Sequence, residues 1–280
     1  DKNITPLLLE GLNRLEYRGY DSSGLIVLSS KNSFDRARSV GKVSNLEKNL
    51  NSRSSKINGN IGIAHTRWAT HGEPSSLNAH PHISKNTVSV VHNGIIENYI
   101  ELKNNQLKQG YEFQSETDTE VIAHAIDSEL QSNIPLIESV QKAVKNFKGS
   151  YGLGIISSKH PDQIIASRKG SPLIIGIGRS GNYIASDQMA LISETKKFIF
   201  LEEGDIAEIK IDKVRIIDHD GKLVNRPVIE SKIKKGQTDK GNYDHFMQKE
   251  IFEQPQAIRD TLESRITNES VISSSFGHNA

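Results

Sequence analysis

Hydrophobic positions follow two spacings along this chain. Between residues 98 and 147 apolar residues recur every three or four positions, as amphipathic helices require. Before and after this segment, short apolar runs bounded by turn residues predominate, which is typical of strands. Strands, then helices, then strands predict an α+β fold of packed sheets covered by helices, and not alternating βαβ units.

The helical spacing also sets the expected helix boundaries. Asn98 followed by Glu101 fits a capping box, in which each side chain bonds the other residue's backbone N–H. Pro255 removes a backbone donor, so we expect it to break the last helical stretch. The predicted helices are 6–17, one beginning after Val43, 98–109, one fronted by 115–120, one after Pro135, and 243–252 with 256–262.

The strand-like runs and a shift in composition define the predicted domains. From Glu230 the chain becomes rich in lysine and glycine, as linkers are. We therefore expect one domain over 1–229, followed over 230–280 by a linker and the start of a connection to a further domain. The predicted strands are 25–28, 34–40, 61–64, 88–91, 151–156, 164–167, 173–177, 183–186, 198–201, 206–211 and 214–217, with a hairpin turn at Asp220-Gly221.

Composition narrows the function classes. The net charge is +1, from 35 basic and 34 acidic side chains, so no nucleic acid or other polyanion partner is implied. We expect a soluble, cytoplasmic protein, because no apolar run reaches membrane-spanning length and the start lacks a signal-peptide core. The sequence contains no cysteine, which excludes disulfides and thiolate metal sites within it.

The segment 65–74 is the strongest candidate for chemistry. Its Gly, Pro, Thr and His residues predict an exposed loop at the end of the apolar strand 61–64, and loops on rigid strands often carry binding groups. Arg67 offers a planar fork that suits a carboxylate. It lies beside Trp68, Thr70 and His71.

Two further positions each have two interpretations. Asn93-Gly94 is the commonest type I′ turn pair, but an amide and a glycine N–H at a strand end are also the donors that an oxyanion hole needs. Asp118 precedes a predicted helix, where it could be an N-cap or could bind a substrate ammonium group. The residues alone leave both choices open.

Two other motifs suggest a metal site and a dinucleotide-binding site, but neither has the accompanying features that such a site needs. His80-x-His82 invites a metal site, but no strong ligand spacing and no completing carboxylate accompany it, so we expect no metal. Residues 176–181 match the spacing of a dinucleotide fingerprint. However, a strand rather than the required helix is predicted after them, so we interpret them as a β-turn loop and expect no cofactor.

Several blocks, in order, resemble the glutaminase domain of the glutamine:fructose-6-phosphate amidotransferase (glucosamine-6-phosphate synthase) family. This resemblance implies a four-layer αββα sandwich of the N-terminal-nucleophile (Ntn) hydrolase type, the fold of class II glutamine amidotransferases. It also implies L-glutamine as a substrate and no cofactor. The blocks are 15–24, 65–74, 78–82, 92–98, 115–121, 184–187, 200–205 and 245–255.

The resemblance also implies roles for individual residues. Arg67 would hold the glutamine α-carboxylate, and Asp118 would receive its α-amino group. Asn93 and Gly94 would form the oxyanion hole. Arg18 would lie in a loop near the nucleophile, and the residues of the loop that closes over glutamine would be Trp68, Thr70 and His71.

One departure from the family is large. Its members use an amino-terminal cysteine as nucleophile, whereas this sequence has none and opens at Asp1, so we expect its first strand to be missing and the 280 residues alone to be inactive. In the whole enzyme, ammonia would pass to fructose 6-phosphate in a missing sugar-isomerase domain, through which it would form a homodimer. Two alternatives stay open: another class II amidotransferase, of the phosphoribosyl pyrophosphate or asparagine-forming kind, and a non-catalytic glutamine-binding module.

Overall fold

The structure is a computed structural model that describes residues 3–132, 134–231 and 242–262. They fall into two compact units, one within 1–233 and one within 234–280. Within these described ranges, no helix is long and apolar enough to cross a membrane. Most of the predicted linker and the end of the chain, 264–280, lie outside the described residues.

The first unit combines five α-helices with three antiparallel sheets of three, four and seven strands in the described part of the chain. The helices are α1 (Thr5–Leu15), α2 (Val43–Ser52), α3 (Tyr99–Lys108), α4 (Glu120–Leu130) and α5 (Leu136–Val144). The first seven strands are β1 (Ser22–Leu28), β2 (Phe34–Val40), β3 (Ile61–Arg67), β4 (His82–Ser84), β5 (Val88–Ile96), β6 (Gly149–Ser157) and β7 (His160–Lys169). The others are β8 (Ile174–Ile177), β9 (Asn182–Ala185), β10 (Lys197–Phe200), β11 (Ile206–Ile209), β12 (Val214–Ile217), β13 (Leu223–Val224) and β14 (Val228–Glu230).

The alternation of side chains in β1 explains how the first two layers stack. Leu25 and Val27 point to one face of the sheet β2-β1-β3, where they pack with residues of α1 and α2. Ile26 and Leu28 point to the other face, where they pack with Val91 of β5 and other residues of the seven-stranded sheet. Because both faces are covered, all of β1 is buried.

The seven-stranded sheet, ordered β13-β12-β11-β7-β6-β5-β4, forms the third layer. On its outer face, Val90 and Ile155 pack with α4 and α5, which form the fourth layer. On its inner face, Ala166 and Ala207 pack with the smaller sheet β14-β10-β8-β9. Helices, two layers of sheet and helices follow in order, so the predicted four-layer αββα fold is confirmed.

Several boundaries differ from the prediction, and two differences lie at the candidate site. Strand β3 continues to Arg67 and strand β5 continues to Ile96, so the segments predicted as a loop and as a strand end are partly paired strand. Polar residues in these extensions conceal the strands from a pattern based on hydrophobicity. Strand β4 was not predicted, because three residues are too few to show a period.

The helix caps also differ. Asn98 does not cap α3 through its side chain, so the predicted capping box is wrong. Its amide instead donates to Asn146 O (3.0 Å) and accepts from Lys148 N (3.0 Å), which ties the start of α3 to the chain that enters β6.

The second unit contains one described helix, α6 (Phe246–Leu262), which is continuous through Pro255. The predicted break at this proline is therefore wrong. Two pairs within the unit accompany the helix: Tyr243 stacks on Phe252 at 5.7 Å, and Lys249 lies 3.7 Å from Glu253 one turn later.

Candidate functional site

Arg67 ends strand β3 and points inward. Its position is fixed by the register of β1 with β3, which pairs it with Ser22, and its exposure is only 4%. The guanidinium lies 3.3 Å from Asp21 Oδ1 and donates to the backbone oxygens of His71 and, at 3.0 Å, Gly72. A single buried cation therefore holds both the start of β1 and the loop that follows β3.

That loop carries the other predicted residues of the 65–74 segment. Trp68 is 69% exposed, and its ring covers Gly19, where an added Cβ would lie 1.9 Å from ring carbons. Thr70 Oγ1 lies 3.3 Å from His71 Nδ1. Arg18 is exposed and donates to Ser186 Oγ at 3.4 Å. Trp68 and Arg18 thus lie together at the surface, outside the buried contacts of Arg67.

Asp118 lies just before α4 and faces the same loop. Its Oδ2 accepts a hydrogen bond from Ile96 N (2.7 Å), and its Oδ1 lies 3.8 Å from His71 Nδ1. The N-cap position belongs to Thr119, so the capping interpretation of Asp118 is wrong. The His71 segment thus meets Arg67 through its backbone and Asp118 through its ring.

Asn93 and Gly94 lie inside strand β5, paired with Gly152 and Tyr151 of β6, so the turn interpretation is wrong. Asn93 Oδ1 lies 2.7 Å from Nε2 of His65, which is two residues before Arg67 on β3. Gly94 has φ +133°, and a Cβ there would lie 2.1 Å from Ser150 O. The close approach of β6 therefore requires glycine at this position.

Four histidines beside these residues, of which three are buried and His65 is partly buried, contact one another and neighbouring polar groups of the protein. His80 stacks on His65 with ring centroids 4.3 Å apart and accepts from His92 N at 3.3 Å. Thr119 Oγ1 lies 3.3 Å from His80 Nε2 and 3.0 Å from His92 Nδ1. Burial holds the pKa of His65 at about 4, and it lowers the pKa of His80, His82 and His92 as well. These imidazoles are therefore neutral at pH 7.

The two weaker motifs have ordinary surroundings. His82 Nε2 lies 3.2 Å from Thr117 Oγ1, and in the part of the chain that the structure describes no group of His, Asp and Glu residues is arranged to hold a metal ion. The glycine-rich segment 176–181 joins β8 to β9, which pair as an antiparallel hairpin, and Gly178 N donates to Gly181 O at 3.1 Å. It is a β-turn loop, as predicted.

Sequence reasoning missed Asp21 and the backbone N–H of Ile96 as parts of this site. Asp21 lies in the block 15–24, which resembles the family but gave no predicted role for Asp21, yet its carboxylate is the ionic partner of Arg67. Its Oδ2 is buried and has no hydrogen-bond partner among the described residues. Only the register of β1 with β3 could have paired Asp21 with Arg67, and register is not visible in one sequence.

Direct contacts thus join three chain segments around one place. The side chains there are a cation, Arg67, a carboxylate, Asp118, and a primary amide, Asn93. A cation and a carboxylate together suit a zwitterion, and the amide suits a carbonyl oxygen at some distance from them. A free amino acid with a carbonyl in its side chain combines these features.

Comparison with known proteins agrees with this chemistry. Residues 65–193 match the family described as "Glutamine amidotransferase domain". The whole chain is 50% identical to a glutamine–fructose-6-phosphate aminotransferase (isomerizing) of Haemophilus influenzae and 52% identical to that of Escherichia coli. The chain spans 45% of the length of each of these relatives.

Solved structures share the fold. The glutamine phosphoribosylpyrophosphate amidotransferase of B. subtilis, complexed with ADP and GMP, superimposes with a TM-score of 0.66 and 23% identity over 79% of this chain and 48% of that one. A structure described as the allosteric regulatory enzyme of purine biosynthesis also gives a TM-score of 0.66, with 24% identity over 76% of this chain and 46% of that one.

Proposed function

We propose that this chain is the glutamine-binding part of an enzyme that releases ammonia from L-glutamine. It belongs to the glutamine amidotransferases and corresponds to the amino-terminal part of glutamine–fructose-6-phosphate aminotransferases. In this proposal Arg67 binds the α-carboxylate and Asp118 binds the α-ammonium group. Asn93 and Gly94 stabilise the oxyanion that forms when the side-chain carboxamide is attacked. Trp68, Thr70, His71 and Arg18 cover the bound amino acid.

The observation that carries the proposal is the set of contacts through His71. Its backbone oxygen accepts from Arg67, while its ring lies 3.8 Å from Asp118, so the two groups of opposite charge are separated by one residue. Asp118 in turn bonds Ile96 on the strand that carries Asn93 and Gly94. A glutamine held by its charged end at Arg67 and Asp118 would extend its carboxamide along β5.

The contacts that Arg67 already makes limit how a glutamine carboxylate can bind to it. Both terminal guanidinium nitrogens already donate within the protein, to Asp21 and to the loop carbonyls of His71 and Gly72. A guanidinium has five N–H groups, so some remain for a carboxylate. A carboxylate that takes both terminal nitrogens would displace the loop carbonyls, which couples substrate binding to movement of the loop.

The reaction also needs a nucleophile. A cysteine thiolate is the group that the family resemblance implies, and the 280 residues contain no cysteine. We therefore propose that these residues supply the binding and oxyanion groups, and that as a separate polypeptide they do not hydrolyse glutamine.

The fate of the ammonia is the second part of the proposal. The relatives are about twice as long as this chain, and their name, glutamine–fructose-6-phosphate aminotransferase (isomerizing), includes fructose 6-phosphate and an isomerising step. We propose the same acceptor and amino-sugar product for the natural protein, in the cytoplasm, with a homodimer formed outside these residues. An identity of 50% to these relatives, against 23% to the phosphoribosylpyrophosphate enzyme, favours this acceptor over others.

An assay of the natural protein tests both parts. Glutamate release from glutamine is measured with fructose 6-phosphate, phosphoribosyl pyrophosphate or aspartate as the acceptor, and we expect stimulation and amino-sugar formation with fructose 6-phosphate only. Stimulation by another acceptor would identify a different amidotransferase. Glutamine binding without any glutamate release would identify a non-catalytic module.

Substitution of Asp118 tests the substrate-binding role. Asp118→Asn keeps the shape but removes the charge that would pair with the ammonium group, so we expect KM for glutamine to rise at least about 30-fold, the effect of about 2 kcal/mol lost from a buried charge pair. Glu112→Gln removes an exposed carboxylate and is the matched control, with an unchanged KM. An Asp118→Asn variant with the KM of the unsubstituted protein would contradict the assignment.

A further inference from the structure

His65 is a partly buried side chain that touches the proposed oxyanion hole without belonging to it. It lies on β3, and its Nε2 is 2.7 Å from Oδ1 of Asn93 on β5. Its other ring nitrogen, Nδ1, is buried and has no hydrogen-bond partner among the described residues. The ring is held from the side by His80, which stacks on it at an interplanar angle of 18°.

These contacts decide which ring nitrogen carries the proton. A neutral imidazole has one N–H and one lone pair. Nδ1 has no partner in either tautomer. With the proton on Nδ1 the unpaired group is a buried N–H donor, whereas with the proton on Nε2 it is only a lone pair, and buried N–H groups without an acceptor are the rarer of the two. With the proton on Nε2, the donor meets Asn93 Oδ1 at hydrogen-bond distance. The second tautomer is therefore favoured.

The tautomer decides in turn how the Asn93 amide is oriented. An amide can rotate by half a turn and exchange its oxygen with its NH2 group. If His65 donates, the amide oxygen must face His65, and the NH2 group is left to point away from it. If His65 accepted, the NH2 group would face His65 and the amide would present an oxygen, which repels an oxyanion.

We propose that His65 is a positioning residue that, by donating from Nε2 to Asn93 Oδ1, directs the Asn93 NH2 group toward the carbonyl oxygen of the substrate. This inference rests on the proposed function, since it assigns how one of the two oxyanion donors is oriented. The neighbouring chain of contacts supports it, because His80 fixes the His65 ring while its own Nδ1 accepts from His92 N on the same strand as Asn93.

A double-mutant cycle in the natural full-length protein tests the proposal. His65→Leu fills the space without a donor, and kcat for glutamine hydrolysis should fall about 10- to 300-fold with KM within about threefold, because loss of an entire oxyanion donor costs about 10²–10³ in kcat. His65→Gln places an amide N–H near the position of Nε2 and should restore most of kcat. In an Asn93→Ala background, His65→Leu should have no further effect on kcat, because its target is gone.

A matched control separates positioning from stability. His124 is also buried, with Nδ1 2.8 Å from Ser84 Oγ, and it lies on α4 outside the site. His124→Leu should lower the thermal midpoint and leave kcat of the folded protein unchanged. If His65→Leu leaves kcat unchanged, or lowers it equally with and without the Asn93 side chain, the proposal is overturned.

The tautomer of His65 can be determined without an activity assay. In the ¹⁵N spectrum of the histidine rings, the signal lost in His65→Gln belongs to His65. A protonated Nε2 and unprotonated Nδ1 support the proposal, whereas a proton on Nδ1 overturns it. If the natural protein releases no glutamate, the proposed function is refuted. The spectrum reports the tautomer of His65 independently of glutamate release, so it shows separately whether the orientation proposed for Asn93 is wrong.

Discussion

At the scale of the residue, the chemistry of single side chains was easier to predict than their surroundings. Arg67 was predicted as a binding residue in an exposed loop, but it is the buried end of a strand. Asp118 was left between two interpretations, and the capping one is wrong because Thr119 holds the N-cap position. Residue type indicates which groups a side chain can bind, whereas burial and partners depend on strand register, which one sequence does not reveal.

Gly94 provides a test at this scale. Gly94→Ala adds a Cβ 2.1 Å from Ser150 O at φ +133°, so we expect the free energy of unfolding to fall by at least about 1–3 kcal/mol from backbone strain alone. Gly152→Ala, on the paired strand, is the control, because its Cβ would have no neighbour closer than 3.5 Å. Chemical denaturation of both variants measures the difference. Equal losses of stability in the two would contradict the steric argument.

At the scale of the element, strands were predicted well where apolar residues fill them and poorly where polar residues do. The bounds of β12, in which three of the four residues are apolar, were predicted correctly at 214–217. The ends of β3 and β5 were missed because His65 to Arg67 and His92 to Gly94 carry the polar side chains of the site. The polar residues at these strand ends therefore form the site. They also prevent hydrophobic patterning from detecting that the strands continue through it.

The buried histidines that join β3, β4 and β5 make stability depend on pH. In the folded protein the pKa of His65 is about 4, and burial also lowers the pKa of His80, His82 and His92, while in the unfolded chain each is near 6.5. Between pH 6.5 and 4 the unfolded state binds more protons, so the free energy of unfolding falls as pH falls. His65 alone accounts for up to about 3 kcal/mol of this loss.

Denaturation of the 280-residue chain at pH 7.5 and at pH 5 measures this effect. His65→Gln should reduce the difference between the two pH values, because it removes one of the groups that gain a proton on unfolding. His219→Asn changes a histidine whose side chain is 73% exposed and should leave the difference unchanged. If His65→Gln behaves as His219→Asn does, His65 does not contribute to the pH dependence.

At the scale of the whole molecule, the order of strands and helices predicted the architecture, but the division of the chain stays a prediction. The apolar clusters of the described structure consist of residues between Ile4 and Val224. The first unit thus has its own core, covered by helices on both sides. The polar segment after 230 was separated in the prediction because composition changes there, and composition is visible without register.

A shortened chain tests the independence of the first unit. A polypeptide of residues 1–233 keeps every member of those clusters, so we expect a single cooperative thermal transition, seen alike by far-UV and near-UV circular dichroism. A polypeptide that ends at Glu203 loses β11 and β12, which line the core with residues such as Ile206 and Ile216, and should not unfold cooperatively. Non-cooperative melting of 1–233 would show that its core is not sufficient.

The complete burial of β1 has a consequence for the timescale on which the site can move. Strand β1 is paired on both edges and covered on both faces, so its amides should exchange with deuterium only when the whole unit opens. Arg67 is hydrogen-bonded to the residue that precedes this strand, through Asp21 N at 2.7 Å. One wall of the site is therefore ordered before any ligand arrives.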